Sequence, residues 1–347
     1  MDALAILILS DGRPGHYHLS EGVAAAIARR RPVDVFRLDV RRHNLLPARV
    51  QSALLASGLS PALVLRLAYG VSAKSLPAAR LVISAGGDTI GALVATSRLL
   101  KARSIFCGTL RHFDPTDLDL VVSSYARHAN LPHHLVTLKP NGMDPDNLPD
   151  TPPRPDDRAD GLPRVAGLLI GGNSGLFKYT DDEWAALLAF LLDSHAQFGI
   201  RWIVSTSRRS PAAVGDQLAR MAGEQAAIER FIDFRHAGPG TLPGLFARVD
   251  AILATEDSST MLSEAVCARL PVVGVSPRQS AFKDDEREYR TLMTREGWLR
   301  SLALGALTPQ SFVAALSEVQ PLTINHLDKL ADALVERMPG LFADTVH

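Results

Sequence analysis

The chain has 347 residues, 37 Lys and Arg against 37 Asp and Glu, and is 46% hydrophobic and 21% charged. That length exceeds one ordinary core and suits two α/β domains, and the balance excludes a disordered or fibrous chain. The only cysteines, Cys107 and Cys267, have no motif spacing, which excludes a disulfide framework and a cysteine zinc site and fits a reducing compartment.

The first apolar run, Leu4–Leu9 in "MDALAILILSDGRPGH", is far too short to span a membrane. It also lacks the basic start and small-residue cleavage site of a signal peptide, and no later run is long enough to span, so a cytoplasmic protein is expected. The run reads as a buried strand. Helical spacing follows over 18–30, then strand-like runs at 33–40, 80–86, 103–109 and 118–124. These runs are continuous rather than alternating, the pattern of strands covered on both faces of a parallel sheet. Residues 44–70 carry leucines with Arg49 and Arg66 and read either as a pair of core helices or as a greasy, basic face that meets lipid.

Prolines and aspartates over 140–164 forbid continuous helix or strand, so a linker at 141–164 separates an amino-terminal domain, 1–140, from a carboxyl-terminal one, 165–325. The same grammar then restarts, with strands at 165–171, 200–206, 250–255 and 271–275. Helices are expected at about 181–196, 211–226, 241–248 and 259–268. The tail, 326–347, has helical spacing and is expected to pack back on the amino-terminal domain. The expected fold class is α/β, two doubly wound Rossmann-like domains facing across a cleft, with ligand at the carboxyl edges of the strands.

Charge divides along the same seam. Residues 1–140 hold 17 Lys and Arg against 9 Asp and Glu, while 141–347 hold 20 against 28. A basic amino-terminal half suits an anionic partner, either a phospholipid surface or a lipid-diphosphate acceptor; its plainer reading is a solvated, arginine-rich surface. Nucleic acid is not expected, because aromatics are only 6% and the basic stretch lacks interleaved stacking residues.

Four turns at strand ends carry candidate chemistry. "DGRPGH" (11–16) places Asp11 and His16 at a helix start, where either takes a proton or Asp11 orients His16; a plain Gly/Pro turn is the alternative. "IGGNSGLFKYTDDEW" (170–184) offers Gly172, Asn173 and Ser174 as a donor-rich loop able to wrap a diphosphate. It matches neither a Walker motif nor a G-x-G-x-x-G fingerprint nor a nucleophile elbow. "STSRRSP" (205–211) ends a strand on Arg208 and Arg209, suited to phosphate or simply facing solvent. In "TEDSSTMLSEA" (255–265), Ser258, Ser259 and Thr260 begin a helix. Glu264 lies one turn deeper on Thr260's face, placed for ribose hydroxyls.

Together, "DGRPGH", "SAGGDT", "IGGNS", "STSRRSP" and "TEDSSTMLSEA" resemble the bacterial branch of the plant mitochondrial-fission (elongated-mitochondria) family, over roughly residues 5–275. The layout is more distantly similar to GT-B glycosyltransferases. The resemblance implies that the carboxyl-terminal domain binds a nucleotide-diphospho-sugar. Gly172, Asn173, Ser174, Ser258, Ser259 and Thr260 would meet the diphosphate, Glu264 the ribose, and Arg208 would neutralise charge in place of a metal. It also implies that 234–243, with Arg235 and His236, flanks the nucleobase. The chain departs from the family pattern at Tyr17, His18 and Leu19, and at Gly87 and Asp88, all on the acceptor side.

The expected activity is metal-independent sugar transfer to an acceptor hydroxyl, of a cell-envelope lipid or saccharide, with no cofactor. His16 or Asp11 is the base, and Asp88 a second candidate. Metal is not expected, since no D-x-D cluster occupies a suitable turn. The protein would work in the cytoplasm, with peripheral contact at the inner face of an anionic membrane. Two rivals stand: a non-catalytic GT-B-like scaffold of fission type that recruits partners, and a nucleotide-sugar epimerase or hydrolase.

Overall fold

The run Leu4–Ser10 forms strand β1, buried along nearly its whole length. A computed structural model describes residues 2–43, 46–149 and 161–343. The chain divides into two units. One runs to Gly142 and takes in the chain from His326; the other spans Met143–Asn325. The expected linker includes 150–160, which lie outside the described residues.

In the first unit, β1 is followed by α1 (Pro14–Ala28), β2 (Val33–Asp39), α2 (Ala48–Ala56), α3 (Pro61–Tyr69) and β3 (Leu81–Ala85). Then come α4 (Ile90–Leu100), β4 (Arg103–Cys107), β5 (Leu120–Ser123) and β6 (His134–Val136). The strands pair in the order β2-β1-β3-β4-β5-β6, parallel throughout. Successive side chains of β1 point to opposite faces. Leu4, Ile6 and Ile8 therefore pack with Val23 and Ile27 of α1, while Leu7 and Leu9 pack with Val64, Leu65 and Leu93 of α3 and α4.

The second unit contains β7 (Val165–Leu169), β8 (Phe177–Lys178), α5 (Asp181–Phe198), β9 (Arg201–Ser205), α6 (Ala212–Glu224) and β10 (Ile228–Ile232). It continues through α7 (Phe234–Ala237), α8 (Leu242–Phe246), β11 (Ala251–Thr255), α9 (Ser259–Cys267), β12 (Val272–Ser276) and β13 (Gln279–Ser280). It ends with α10 (Asp284–Arg295), β14 (Leu299–Ala303) and α11 (Pro309–Ser317). Its main sheet runs β10-β9-β7-β11-β12-β14, again parallel. The small hairpin β8–β13 is antiparallel. Thr180 and Glu183 cap α5 reciprocally, and Gly199, at φ 67°, ends it in the left-handed conformation that glycine tolerates. Phe190, Trp202 and Phe312 meet edge to face or tilted at the centre of this unit's core.

The last helix, α12 (His326–Arg337), belongs to the first unit. Leu327, Leu330, Ala331 and Leu334 are buried in the core that contains Ile27. Arg29 bonds both carboxylate oxygens of Asp328, at 3.0 and 2.9 Å, and Arg30 reaches Asp328 and Asp332.

Both strand orders reverse direction beside the first strand of their unit: between β1 and β3 in the first, and between β7 and β11 in the second. Open α/β sheets bind ligands outside the carboxyl ends of the strands at such a switch point. The turn at Asp11–His16 and the turn at Gly86–Asp88 leave the carboxyl ends of β1 and β3. The glycine loop and the start of α9 leave those of β7 and β11.

Candidate functional site

In the first unit, Gly12 has a φ of 79°, and Pro14 sits at the first turn of α1, where its missing N–H costs no bond. This tight turn folds Asp11 back. Its carboxylate accepts the Arg13 backbone N–H at 3.0 Å and faces His16 Nδ1 at 2.8 Å. The Asp11 side chain is 6% exposed and that of His16 is 32% exposed. An ionised Asp11 takes a proton-bearing Nδ1 as its partner, which leaves Nε2 of neutral His16 as the acceptor. The imidazole lies against Gly86, where a Cβ would come within 2.2 Å of Nδ1. Only glycine fits there, and its φ of 88° points to the same residue.

Asp88 stands differently. Its Oδ1 accepts Nε and Nη2 of Arg42 at 3.0 and 2.8 Å, and Arg13 lies 3.7 Å from Oδ2. A carboxylate engaged by two guanidinium N–H groups is an anchor for arginine. Of the three acid–base candidates, the structure thus joins Asp11 to His16 and ties Asp88 to arginine.

In the second unit, three turns converge at the switch point. After β7, the Gly171 N–H donates to Thr255 Oγ1 at 2.7 Å, and the Gly172 N–H to Asp257 Oδ2 at 3.1 Å. After β9, the hydroxyls of Ser207 and Ser210 both donate to the Gly171 carbonyl, at 2.9 and 2.7 Å. After β11, Asp257 receives the Arg209 guanidinium and, at 3.4 Å, the Tyr179 hydroxyl. Gly172 has a φ of 153°, and a Cβ on it would meet the Arg209 carbonyl at 2.1 Å, so the loop admits no side chain there.

Other loop groups are partly committed. Asn173 Oδ1 accepts the Tyr179 N–H at 2.8 Å, and Ser174 Oγ accepts the Phe177 N–H at 3.2 Å. Ser258 is the N-cap of α9, its hydroxyl accepting the Met261 N–H at 3.4 Å. Ser259 and Thr260 form the first turn, and Glu264 is half-buried one turn further on. Arg208 is exposed and pairs with no carboxylate among the described residues. The two adjacent arginines thus divide: Arg209 is clasped by Asp257, and Arg208 is free.

Arg235, on α7, bonds Asp233 and Asp216. Its hydrogen bonds are the largest influence holding the Asp233 carboxyl below the usual carboxylate range, against the opposing effect of burial. His236 is 82% exposed. Both line a shallow depression of about 600 Å³ with Arg230 and Phe231, at the end of β10.

Sequence reasoning missed two groups in this unit. Asp257, within "TED", is one; Glu256 beside it is the other. Glu256 is 2% exposed, accepts Ser276 Oγ at 2.9 Å, and lies 3.7 Å from Arg290, which also donates to the Glu256 carbonyl. A run of polar residues before a helix signals a cap, and nothing in it separates the acids whose side chains are buried from the half-buried hydroxyls of Ser258, Ser259 and Thr260.

Two parallel, doubly wound sheets, each with Gly/Ser turns at its switch point, define an α/β protein of GT-B-like fold. Solved structures of similar fold include a putative UDP-N-acetylglucosamine 2-epimerase from Listeria monocytogenes, at 11% identity and TM-score 0.58 over 99% of this chain and 98% of that one. The UDP-GlcNAc 2-epimerase of Methanocaldococcus jannaschii matches at 12% identity and TM-score 0.53, over 96% and 100%. MurG of Acinetobacter baumannii matches at 13% and 0.51, over 96% and 100%. No curated protein matches the sequence. The chain belongs to the mitochondrial fission ELM1 family, whose match covers residues 14–338.

Proposed function

We infer that the protein transfers a sugar from a nucleotide-diphospho-sugar, held by the second unit, to an acceptor hydroxyl held by the first. The observation that carries this reading is the convergence of the glycine loop, the 207–210 turn and the start of α9 at the β7/β11 switch point. The N–H groups of Gly171 and Gly172 are already taken. The diphosphate is therefore met by the exposed guanidinium of Arg208 and, at the start of α9, by the Thr260 N–H and hydroxyl. Glu264 takes the ribose hydroxyls, and the depression beside Arg235 and His236 takes the base.

Arg208 and the helix terminus stabilise the departing diphosphate. His16 Nε2 removes the acceptor proton, oriented by Asp11 through Nδ1. Asp88 holds Arg42 and Arg13 in place rather than accepting that proton. Neighbours of similar fold support the donor class, since structures of the M. jannaschii epimerase with UDP-GlcNAc and UDP and of S. aureus MnaA with UDP are among them.

The acceptor is lipid-linked in this reading. Leu63 and Leu67 of α3 are 37% and 49% exposed and share an outward face with Arg66; Val50, beside Arg49 on α2, is 39% exposed. Such a face suits peripheral contact with an anionic bilayer. No helix among the described residues is long and apolar enough to cross one. In flotation with anionic liposomes the protein rises with the lipid, and Leu63→Glu/Leu67→Glu abolishes this; a protein that stays at the bottom contradicts the contact.

The reaction is tested by incubating the protein with a panel of nucleotide sugars and lipid extract. Nucleoside diphosphate release that requires the extract supports transfer. Conversion without acceptor favours an epimerase or hydrolase, and no turnover of a bound nucleotide favours the scaffold.

A further inference from the structure

Asp257 is the most enclosed ionisable group at the second unit's switch point. Its side chain is 0% exposed, and a Cβ on Gly171 would come within 2.1 Å of its carboxylate. Two segments far from it in sequence meet on it: the turn after β7, through the Gly172 N–H and the Tyr179 hydroxyl, and the turn after β9, through the Arg209 guanidinium. An unpaired buried carboxylate beside a diphosphate would repel it, so the local arrangement demands an explanation. We propose that Asp257 is a positioning residue of the donor site, acting through Arg209 and Gly172 without touching the diphosphate; the proposal rests on the donor-site reading above.

The geometry gives each partner a task. The ion pair cancels the negative charge of Asp257 and fixes one arm of the guanidinium. Arg209 is 40% exposed, so its remaining N–H groups stay at the surface for a phosphate oxygen. The bond to Gly172 holds the loop in a backbone conformation that glycine alone takes readily, over the Arg209 carbonyl. Tyr179, stacked on Trp184 at 4.4 Å, is kept protonated well above the usual phenol range, first by burial and then by the charge of Asp257. It therefore serves as a donor that closes the far side of the carboxylate. One buried charge thus sets the position of three turns and of the cation nearest the free Arg208.

The test is calorimetric titration of the full chain with UDP and other nucleoside diphosphates, beside Asp257→Asn, Arg209→Ala and the double variant. Thermal melts establish folding. Asp257→Asn keeps the shape and loses the charge, and is expected to weaken the bound nucleotide about tenfold, as losing a charge-assisted contact does. Arg209→Ala is expected to weaken it at least as much. The double variant binds no worse than Arg209→Ala, because the two residues act as one. Asp257→Asn binding as well as or better than the unaltered protein overturns the proposal, as do losses that multiply in the double variant. Should Asp257→Asn not fold, Arg209→Ala binding normally overturns it alone. Absence of nucleotide binding by the unaltered protein is a separate result: it removes the donor-site reading, and this proposal with it.

Discussion

At the scale of single residues, two side chains carry sharp expectations. His16 is oriented by a buried carboxylate on one nitrogen, while its ring is packed on a glycine. His16→Ala should therefore lower kcat by roughly 10²–10⁴-fold, the usual range for a general base, while nucleotide binding by the second unit is unchanged. Equal turnover in the variant contradicts the assignment. Arg290, 8% exposed, is the only cation the structure sets against the 2%-exposed Glu256 among the described residues, and Glu256 Oε1 has no hydrogen-bond partner. Arg290→Ala leaves that carboxylate buried and uncompensated, a change that costs roughly 3–5 kcal/mol. Thermal denaturation should show a clear fall in Tm; an unchanged Tm means that the pair is solvated. The residue types at the turns were legible in the sequence. The pairing of Asp11 with His16 inside one turn was legible too; pairing between turns was not, because Asp257 lies 85 positions from the Gly172 N–H it accepts.

At the scale of elements, the central strands were legible, and of the four edge strands only β2 was. β1, β3, β7 and β11 are continuous apolar runs because helices cover both their faces. β10, "IERFI", and β14, "LRSLA", lie at the edges of their sheet and are half exposed, so their polar residues hide them. The docking of α12 on α1 makes a prediction that depends on pH. Hydrogen bonds from Arg29 are the largest influence holding the Asp328 carboxyl below its usual range, opposed by burial and aided by Arg30. A lowered folded-state pKa stabilises the docked helix fully above the unfolded value of about 4, and the contribution is lost as pH falls through the folded value. Protection of the amides over 326–337, taken relative to the intrinsic exchange rate at each pH, should fall below about pH 4. In Asp328→Asn the exchange is already fast at neutral pH. Protection in the unaltered protein that does not change between pH 6 and pH 3 contradicts this role.

At the scale of the whole molecule, the repeated grammar of apolar run and helix made two doubly wound units legible, and the strand orders then place a switch point in each. Glycines and hydroxyls follow the strands on both sides of those points, which is why motifs that are individually loose gain weight together. The basic balance of residues 1–140 belongs to the same scale: it favours an anionic acceptor or surface without naming one. The central claim is that the second unit holds a nucleoside diphosphate. It is tested most directly by calorimetric titration of the full chain with UDP, GDP and the other nucleoside diphosphates, beside Glu264→Ala. Saturable binding of one nucleotide, weakened in the variant, is the predicted result. No binding of any of them at millimolar concentration would contradict it.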